Sequence, residues 1–381
     1  MSRWPEKPLL ELAKLTRGTE PGSRSYTDPA LGRRFLRVGD ITGKRDNPVF
    51  TSADNLVVVS DTDLLIALDG TPGHIGIGHS GAICSGIRKV EVLSGGKVSL
   101  GWLRYVLASP TVQATIKRHT RGATIPHASS AVSHIRVPVP PWEEQGQIVK
   151  LLDEGDELRK LRAQADCRTA TLVSALFHQM FSDPVHKGSR WPKVPLGEMG
   201  AIVTGNTPSR KKPEYFGNFI EWVKTDNIDA LHGIVTKAAE GLSEKGLSVG
   251  RVVPAGAVLV KCIAGSRESI GDAAITDRRV AINQQINAIV VSSANNPTFI
   301  CELICRLKGL IQHNVTGVMT GIINKSTLAL MPAICPPLSL QKEFAIRVSG
   351  IRTLQAEQAA SRKRLDDLFQ SMLHRAFQAE L

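Results

Sequence analysis

The residues with the strongest claim to chemistry are two Pro-Pro segments, Val139-Pro140-Pro141-Trp142 and Cys335-Pro336-Pro337-Leu338. An adenine-N6 methylase needs an Asp/Asn-Pro-Pro-aromatic loop, whose polar side chain and prolyl carbonyl hold the amino group. Val139 stands where that polar side chain belongs, and the second segment lacks it as well. Both segments therefore read as structural hinges. Gly73-His-Ile-Gly76-Ile-Gly78 has the look of a nucleotide loop, but no clear helix follows it and no acidic residue stands at the required distance, so it reads as a turn. There is no Walker A motif, no His-Glu-x-x-His and no Asp…Glu-x-Lys nuclease set; Glu6-Lys7 and Glu244-Lys245 read as surface charge. The six cysteines form no CxxC pair, and Cys301 and Cys305 read as helix packing, so no metal site is expected. His178 and His374 occupy equivalent helix positions and suit packing or partner contact. These absences predict a chain that is not an enzyme on its own.

Charge points elsewhere. Lys and Arg number 47 against 35 Asp and Glu, a formal net charge of +12. A polyanion partner is the expectation, because cations that meet phosphates release counterions. Arg24, Arg33, Arg34 and Arg37 stand near the first strands, with Arg210, Lys211, Lys212 and Lys224 in comparable places later. Asp40 and the pair Asp226-Asn227 follow aligned strands. Arg121 and Thr124 precede one Pro-Pro, and Lys325 precedes the other. Asp69 and Thr71 lie in a turn after an apolar strand, with Arg267 in the counterpart of that turn. Such cations hold phosphates, and such polar side chains read base edges.

What positions these residues is a repeat. Arg3-Trp4-Pro5…Pro8-Leu9…Glu11 recurs as Arg190-Trp191-Pro192…Pro195-Leu196…Glu198, an offset of 187 from 3 to 190. Pro140-Pro141…Gln145 recurs as Pro336-Pro337…Gln341, and Leu172…His178…Phe181 as Leu368…His374…Phe377, both at offset 196 from 140 to 336 and from 181 to 377. Matching landmarks in one order indicate a tandem duplication. Residues 1–141 and 185–337 are predicted to be two β-rich α+β globules. Their strands include Leu64–Leu68 and Ala257–Val260, and their helices lie at Leu100–Ala108, Thr111–His119 and Pro297–Lys308.

Segments 142–184 and 338–381 are predicted to be long helices, each about 55–60 Å. Leu158, Leu161, Ala165, Leu172 and Leu176 form a stripe on the first and Leu354, Ser361, Leu365, Leu368 and Met372 one on the second, with Leu158, Leu172 and Leu176 aligning with Leu354, Leu368 and Met372 at offset 196. Mutual pairing through these positions is expected, antiparallel if the similar halves are related by a two-fold axis. No apolar run reaches membrane-spanning length, and a cytoplasmic protein is the default expectation.

The chain resembles the specificity subunit of type I restriction–modification enzymes. The resemblance rests on the Trp-Pro…Pro-Leu-x-Glu openings, the strand-plus-Asp segments Phe35–Thr42 and Trp222–Asp229, the Asp69-Gly70-Thr71-Pro72-Gly73 turn, and the Pro-Pro-x-x-x-Gln and Leu…His…Phe helix landmarks. The second copy departs from the pattern, with Ala264-Gly265-Ser266-Arg267 at the turn. The resemblance implies two target recognition domains, each reading one half of a split double-stranded DNA site. It implies an antiparallel coiled coil that fixes their spacing. It also implies two methylase subunits docked on the helices, with a restriction and translocase subunit as a further partner. S-adenosylmethionine, and ATP with Mg2+ for restriction, would be held by those partners and not by this chain. Two alternatives stay open: the specificity portion of a partner-dependent or fused restriction–methylation enzyme, and a protein scaffold that does not bind DNA.

Overall fold

The computed structural model describes residues 4–185, 190–317 and 321–378. Arg3 of the opening motif lies outside them. The chain forms two compact units: residues 1–163 with 360–381, and residues 164–359. The division falls inside the long helices and not at their ends, so the expected separate helical segments are each shared between units. The reason is where their apolar ends are buried, described below.

The first unit is built on a four-stranded antiparallel sheet in the order Ala13–Arg17, Ile87–Val92, Leu64–Ala67, Ile75–Gly76. A five-stranded sheet adjoins it in the order Tyr26–Thr27, Val49–Thr51, Arg33–Leu36, Gly81–Ile83, Val58–Val59. Leu64–Ala67 is buried on both faces, which explains its unbroken apolar run. Side chains alternate across a strand. Leu64 and Ile66 join the core that also holds Trp102 and Leu103, while Leu65 and Ala67 join Phe35, Ile83 and Ile87. Helices α1 (Leu100–Ala108) and α2 (Pro110–Arg118) complete the first of these cores. Both are capped by serine side chains, Ser99 and Ser109.

The second unit repeats the plan. Its larger sheet runs Gly200–Thr204, Ile286–Val291, Val258–Lys261, Ala273–Ile275, Ile234–Val235, Ile228–Asp229. Val258 and Val260 face one core and Leu259 faces the other. In the neighbouring sheet Phe216–Val223 runs parallel to Val280–Ile282, as Arg33–Leu36 does to Gly81–Ile83 in the first unit.

The repeated motifs turn out to be frame. Glu6–Pro8 pairs with Arg136–Pro138, and Lys193–Pro195 pairs with Pro332–Ile334. The Val139 N–H donates to the Pro5 carbonyl at 2.9 Å, and the Cys335 N–H to that of Pro192 at 2.9 Å. The Pro-Pro glutamines are buried beside these clamps. Gln341 accepts from the Asn296 N–H at 2.9 Å and donates to the Pro336 carbonyl at 2.8 Å. Gln145 does the same with the Ser99 N–H at 2.9 Å and the Pro140 carbonyl at 3.0 Å. A buried partner removed from such a pair leaves both backbone groups unsatisfied. Gln341→Ala is accordingly expected to lower the stability of the second unit by about 2–3 kcal/mol, measured as a lower denaturant midpoint at unchanged slope.

The long helices are α3 (Trp142–Ala170), α4 (Leu172–Phe181) and α5 (Pro297–His313, within the second unit), then α6 (Leu338–Gln378). In the first unit the start of α3 and the end of α6 share the core: Ile148 and Leu152 with Phe369, Leu373 and Ala376. Phe377 lies 5.1 Å from Trp102, ring centre to ring centre. In the second unit the end of α4 meets the start of α6. Phe177 and Phe181 pack against Phe299 and Phe344. Among the described residues no helix is long and apolar enough to cross a membrane.

Candidate nucleic-acid interface

In the first unit two loops are stapled together. Asp69 and His127 form an isolated bridge, and the Gly70 N–H donates to the Pro126 carbonyl at 2.9 Å. Gly70 adopts φ +78°, a left-handed conformation that favours glycine at this turn. Asp69 sits between two bases: Arg88 Nη2 at 3.4 Å and His127 Nδ1 at 2.8 Å. Arg88 is buried and also donates to Ser129 Oγ at 3.0 Å. Burial lowers the Arg88 pKa, while the Asp69 carboxylate beside it works to raise it. Arg121 pairs through its backbone with His127, so the exposed tip holding Thr124 and Ile125 is held at its base. Thr71 lies in the stapled turn. The structure thus brings Asp69, Thr71, Arg121 and Thr124 into one loop cluster. Arg88 and His127, which sequence reasoning missed, anchor it.

Nearer the first strands, Arg34 donates to Asp40 Oδ1 at 2.8 Å and lies over the Phe50 ring at 5.9 Å. The other oxygen of Asp40 accepts from the Arg37 N–H at 2.8 Å. Its side chain is 1% exposed. Asp40 therefore caps its own turn, Val38–Ile41, and does not offer its oxygens to a base in this conformation. Asn227 is corrected in the same way: it is buried, and its Oδ1 accepts from the Lys224 N–H at 3.0 Å. Asp226 beside it is exposed. Arg24 and Arg33 are exposed, and Arg37 Nε is buried with no hydrogen-bond partner among the described residues.

In the second unit two expected cations converge on a carboxylate that sequence reasoning missed. Arg210 Nη2 lies 2.7 Å from Glu240 Oε2, and Lys224 Nζ binds Glu240 Oε1. Both cations rest on aromatic rings: Arg210 is 4.6 Å from the Phe216 centre and Lys224 is 5.1 Å from that of Trp222. Hydrogen bonds from Lys224 and Arg210 hold the Glu240 carboxyl below the usual range, so it is ionised at neutral pH. Lys212 lies over Tyr215 at 5.3 Å, and Lys211 is exposed. Arg267 donates to the Gln312 carbonyl at 3.0 Å, and Lys325 is exposed at a helix start. Ile263–Ala264 pairs with Gly321–Ile322, a second stapling of the strand-end turn to the late loop. Among the described residues no group of three or more His, Cys, Asp or Glu could hold a metal ion.

The helix positions expected to pair are distributed differently. Within the first unit α3 and α6 are antiparallel: Arg159 Nε reaches Asp366 at 2.7 Å, and Gly155 faces Phe369. A Cβ on Gly155 would come within 3.2 Å of the Phe369 ring, so this glycine permits a tight contact. Within the second unit Thr169 donates to Gln358 at 2.7 Å, and Gln355 donates to the Thr169 carbonyl at 2.9 Å. The seam is polar and small at these points. Leu158, Leu161, Leu172, Leu354 and Leu368 are instead exposed, and the assignment of these five to the seam is corrected. Ala165, Leu176, Ser361, Leu365 and Met372 are half-buried. Spacing of three and four marks an apolar face but not its cover. In the first unit Leu151, Leu158, Leu365, Leu368 and Met372 line a groove of about 140 Å³ beside Gly155.

Each unit thus carries paired sheets, a strand-end turn stapled to a late loop, and a share of the long helices. Residues 188–360 match the model of the type I restriction modification DNA specificity domain. The chain is similar over part of its length to specificity subunits of type I restriction–modification systems. It is 26% identical over 204 residues to the Type I restriction enzyme HindI specificity subunit of Haemophilus influenzae, covering 50% of this chain and 42% of that protein. It is 27% identical over 215 residues to the Type I restriction enzyme MjaVIII specificity subunit of Methanocaldococcus jannaschii, covering 52% and 48%. The match thus spans about half the length of these curated relatives. In fold it is similar to a chain from a study of complex assembly and conformational transition of the type I R-M system, with TM-score 0.63, 19% identity and 99% and 98% coverage. It is also similar to a type I restriction-modification S subunit from M. genitalium, with TM-score 0.59, 14% identity and 99% and 96% coverage.

Proposed function

We propose that the chain is the non-catalytic, DNA-reading subunit of a type I restriction–modification complex in the cytoplasm. Each β-rich globule is a target recognition domain for one half of a two-part site in double-stranded DNA. The two long helices form a coiled coil that sets the gap between the halves. The observation that carries this reading is the repeated frame: one scaffold of clamp, sheets, buried glutamine and long helix occurs twice, while the polar side chains mounted on it differ between copies. Repetition of frame with divergence of surface suits two readers of two sequences.

Two methylase subunits, and in a restricting system a translocase, would dock on the helices and carry the S-adenosylmethionine, ATP and Mg2+. The exposed leucines flanking the polar seam support such docking, since an uncovered apolar stripe on a helix suits a partner. Leu158→Glu combined with Leu368→Glu is expected to abolish co-purification with the methylase subunits while leaving thermal unfolding near that of wild type. Unchanged co-purification would remove the leucine rim from the docking surface. DNA binding by the assembled complex is tested by titration at increasing salt. The binding constant is expected to fall steeply on a logarithmic scale, as phosphate contacts require; failure to bind any duplex would overturn the reading.

A further inference from the structure

The Glu240 site sets a carboxylate between two of the cations expected to meet DNA. A carboxylate placed among cations that meet phosphates would repel the same phosphates. Its position is nonetheless fixed from several sides. The Trp222 N–H donates to the Glu240 carbonyl at 3.0 Å, tying its backbone to the strand Phe216–Val223. The Trp222 ring, 3% exposed, is held by its Nε1–H donating to the Asn206 carbonyl at 3.3 Å, and it carries Lys224 above it. Arg210 and Lys224 each take one carboxylate oxygen. A carboxylate has about four lone-pair sites, so one acceptor site per oxygen remains. The side chain is 40% exposed and borders a groove of about 580 Å³. Lys237, Arg279 and the exposed ring of Phe219 share that groove, as does Glu221, which is paired with Arg278.

We propose that Glu240 is a specificity-determining residue of the second recognition domain, accepting a hydrogen bond from the exocyclic amino group of a cytosine. This rests on the DNA-reading function above. An ionised carboxylate can only accept. In the major groove cytosine presents its N4 amino group as a donor, whereas the amino group of adenine stands beside N7, an acceptor that repels a carboxylate. Guanine N7 and O6 and thymine O4 are acceptors too. Arg210 and Lys224 orient the carboxylate, and Lys237 and Arg279 on the groove wall suit the adjoining phosphates.

The test uses the full chain assembled with its methylase subunits, on a duplex library randomised across both half-sites. Wild type is expected to prefer cytosine at one position of one half-site. Glu240→Gln, an isosteric change that keeps the size of the side chain, should shift that position toward adenine, which a glutamine amide reads through N6 and N7. The cytosine preference should drop about ten-fold, with the other half-site unchanged. Glu240→Ala should leave the same position without preference. An unchanged base ranking in both variants overturns the inference, and so does uniform weakening on all sequences, which would make Glu240 a brace for Arg210 and Lys224. A wild-type complex that selects no two-part site overturns the DNA-reading function as well; a wild-type site that both variants leave intact overturns the Glu240 assignment alone.

Discussion

Phe181→Ala is expected to destabilise the unit formed by residues 164–359 by about 3–5 kcal/mol. Phe181 is fully buried. Its ring lies 4.9 Å from Phe299, 5.3 Å from Phe344, 5.1 Å from Phe177 and 6.3 Å from Trp191. Truncation removes a large apolar side chain from water-free packing and leaves a cavity bounded by rings that cannot all collapse inward. A unit of this size should lose about 2–4 °C of melting temperature per kcal/mol, so a drop of about 6–20 °C is expected by calorimetry. The residue follows the first globule in sequence, yet its ring is part of the second unit's core. The loss should therefore appear in the transition that exposes Trp191 and Trp222, while the first unit keeps the melting behaviour of wild type. A first-unit transition shifted equally would contradict this division of the cores.

A matched insertion of four residues near Ala165 in α3 and near Ser361 in α6 is expected to widen the gap in the recognised DNA site. Four helical residues add about 6 Å, close to two base pairs at ~3.4 Å each. The bases at either end of the site should not change, because the inserts lie outside both loop clusters. The insertion must be made in both helices at once. After an insert in α3 alone, the Arg159–Asp366 pair and the contacts of Thr169 with Gln355 and Gln358 can no longer both keep register with α6. The single insert is therefore expected to reduce modification sharply, and the second insert to restore it at the longer gap. Modification by the doubly inserted chain at the original gap would refute the idea that helix length sets the spacing.

Much of the frame is legible in the residues, because its signals are local. The strand expected at Leu64–Leu68 forms at Leu64–Ala67, and that at Ala257–Val260 at Val258–Lys261. The helix expected at Pro297–Lys308 runs on to His313, since Leu307, Leu310 and Ile311 continue its apolar face. The Pro-Pro hinges and the glutamine five residues beyond the first proline mark each long-helix start, and burial of that glutamine explains its place in the motif. The site was less legible, because its chemistry is made by residues distant in the chain. Asp40 looks like a free carboxylate beside a strand, but the turn Val38–Ile41 brings it back onto the N–H of Arg37, three residues earlier. Arg210 and Lys224 look like phosphate contacts, and only the fold brings Glu240 between them, 30 and 16 positions away. His127 reaches Asp69 across 58 positions. The leucine stripe misled for a further reason: periodicity reports that a face is apolar, and the polar seam of Thr169, Gln355 and Gln358 beside it carries no such signature.

The reading proposed above requires that the two globules read one DNA molecule at two places. Sequencing of methylated adenines across the genome of a host expressing this chain with its methylase subunits tests it most directly. The expected result is a single site made of two short defined sequences separated by a gap of fixed length and undefined bases, on the order of one DNA turn between centres. A continuous site with no gap, or two half-sites modified at many different separations, would contradict it.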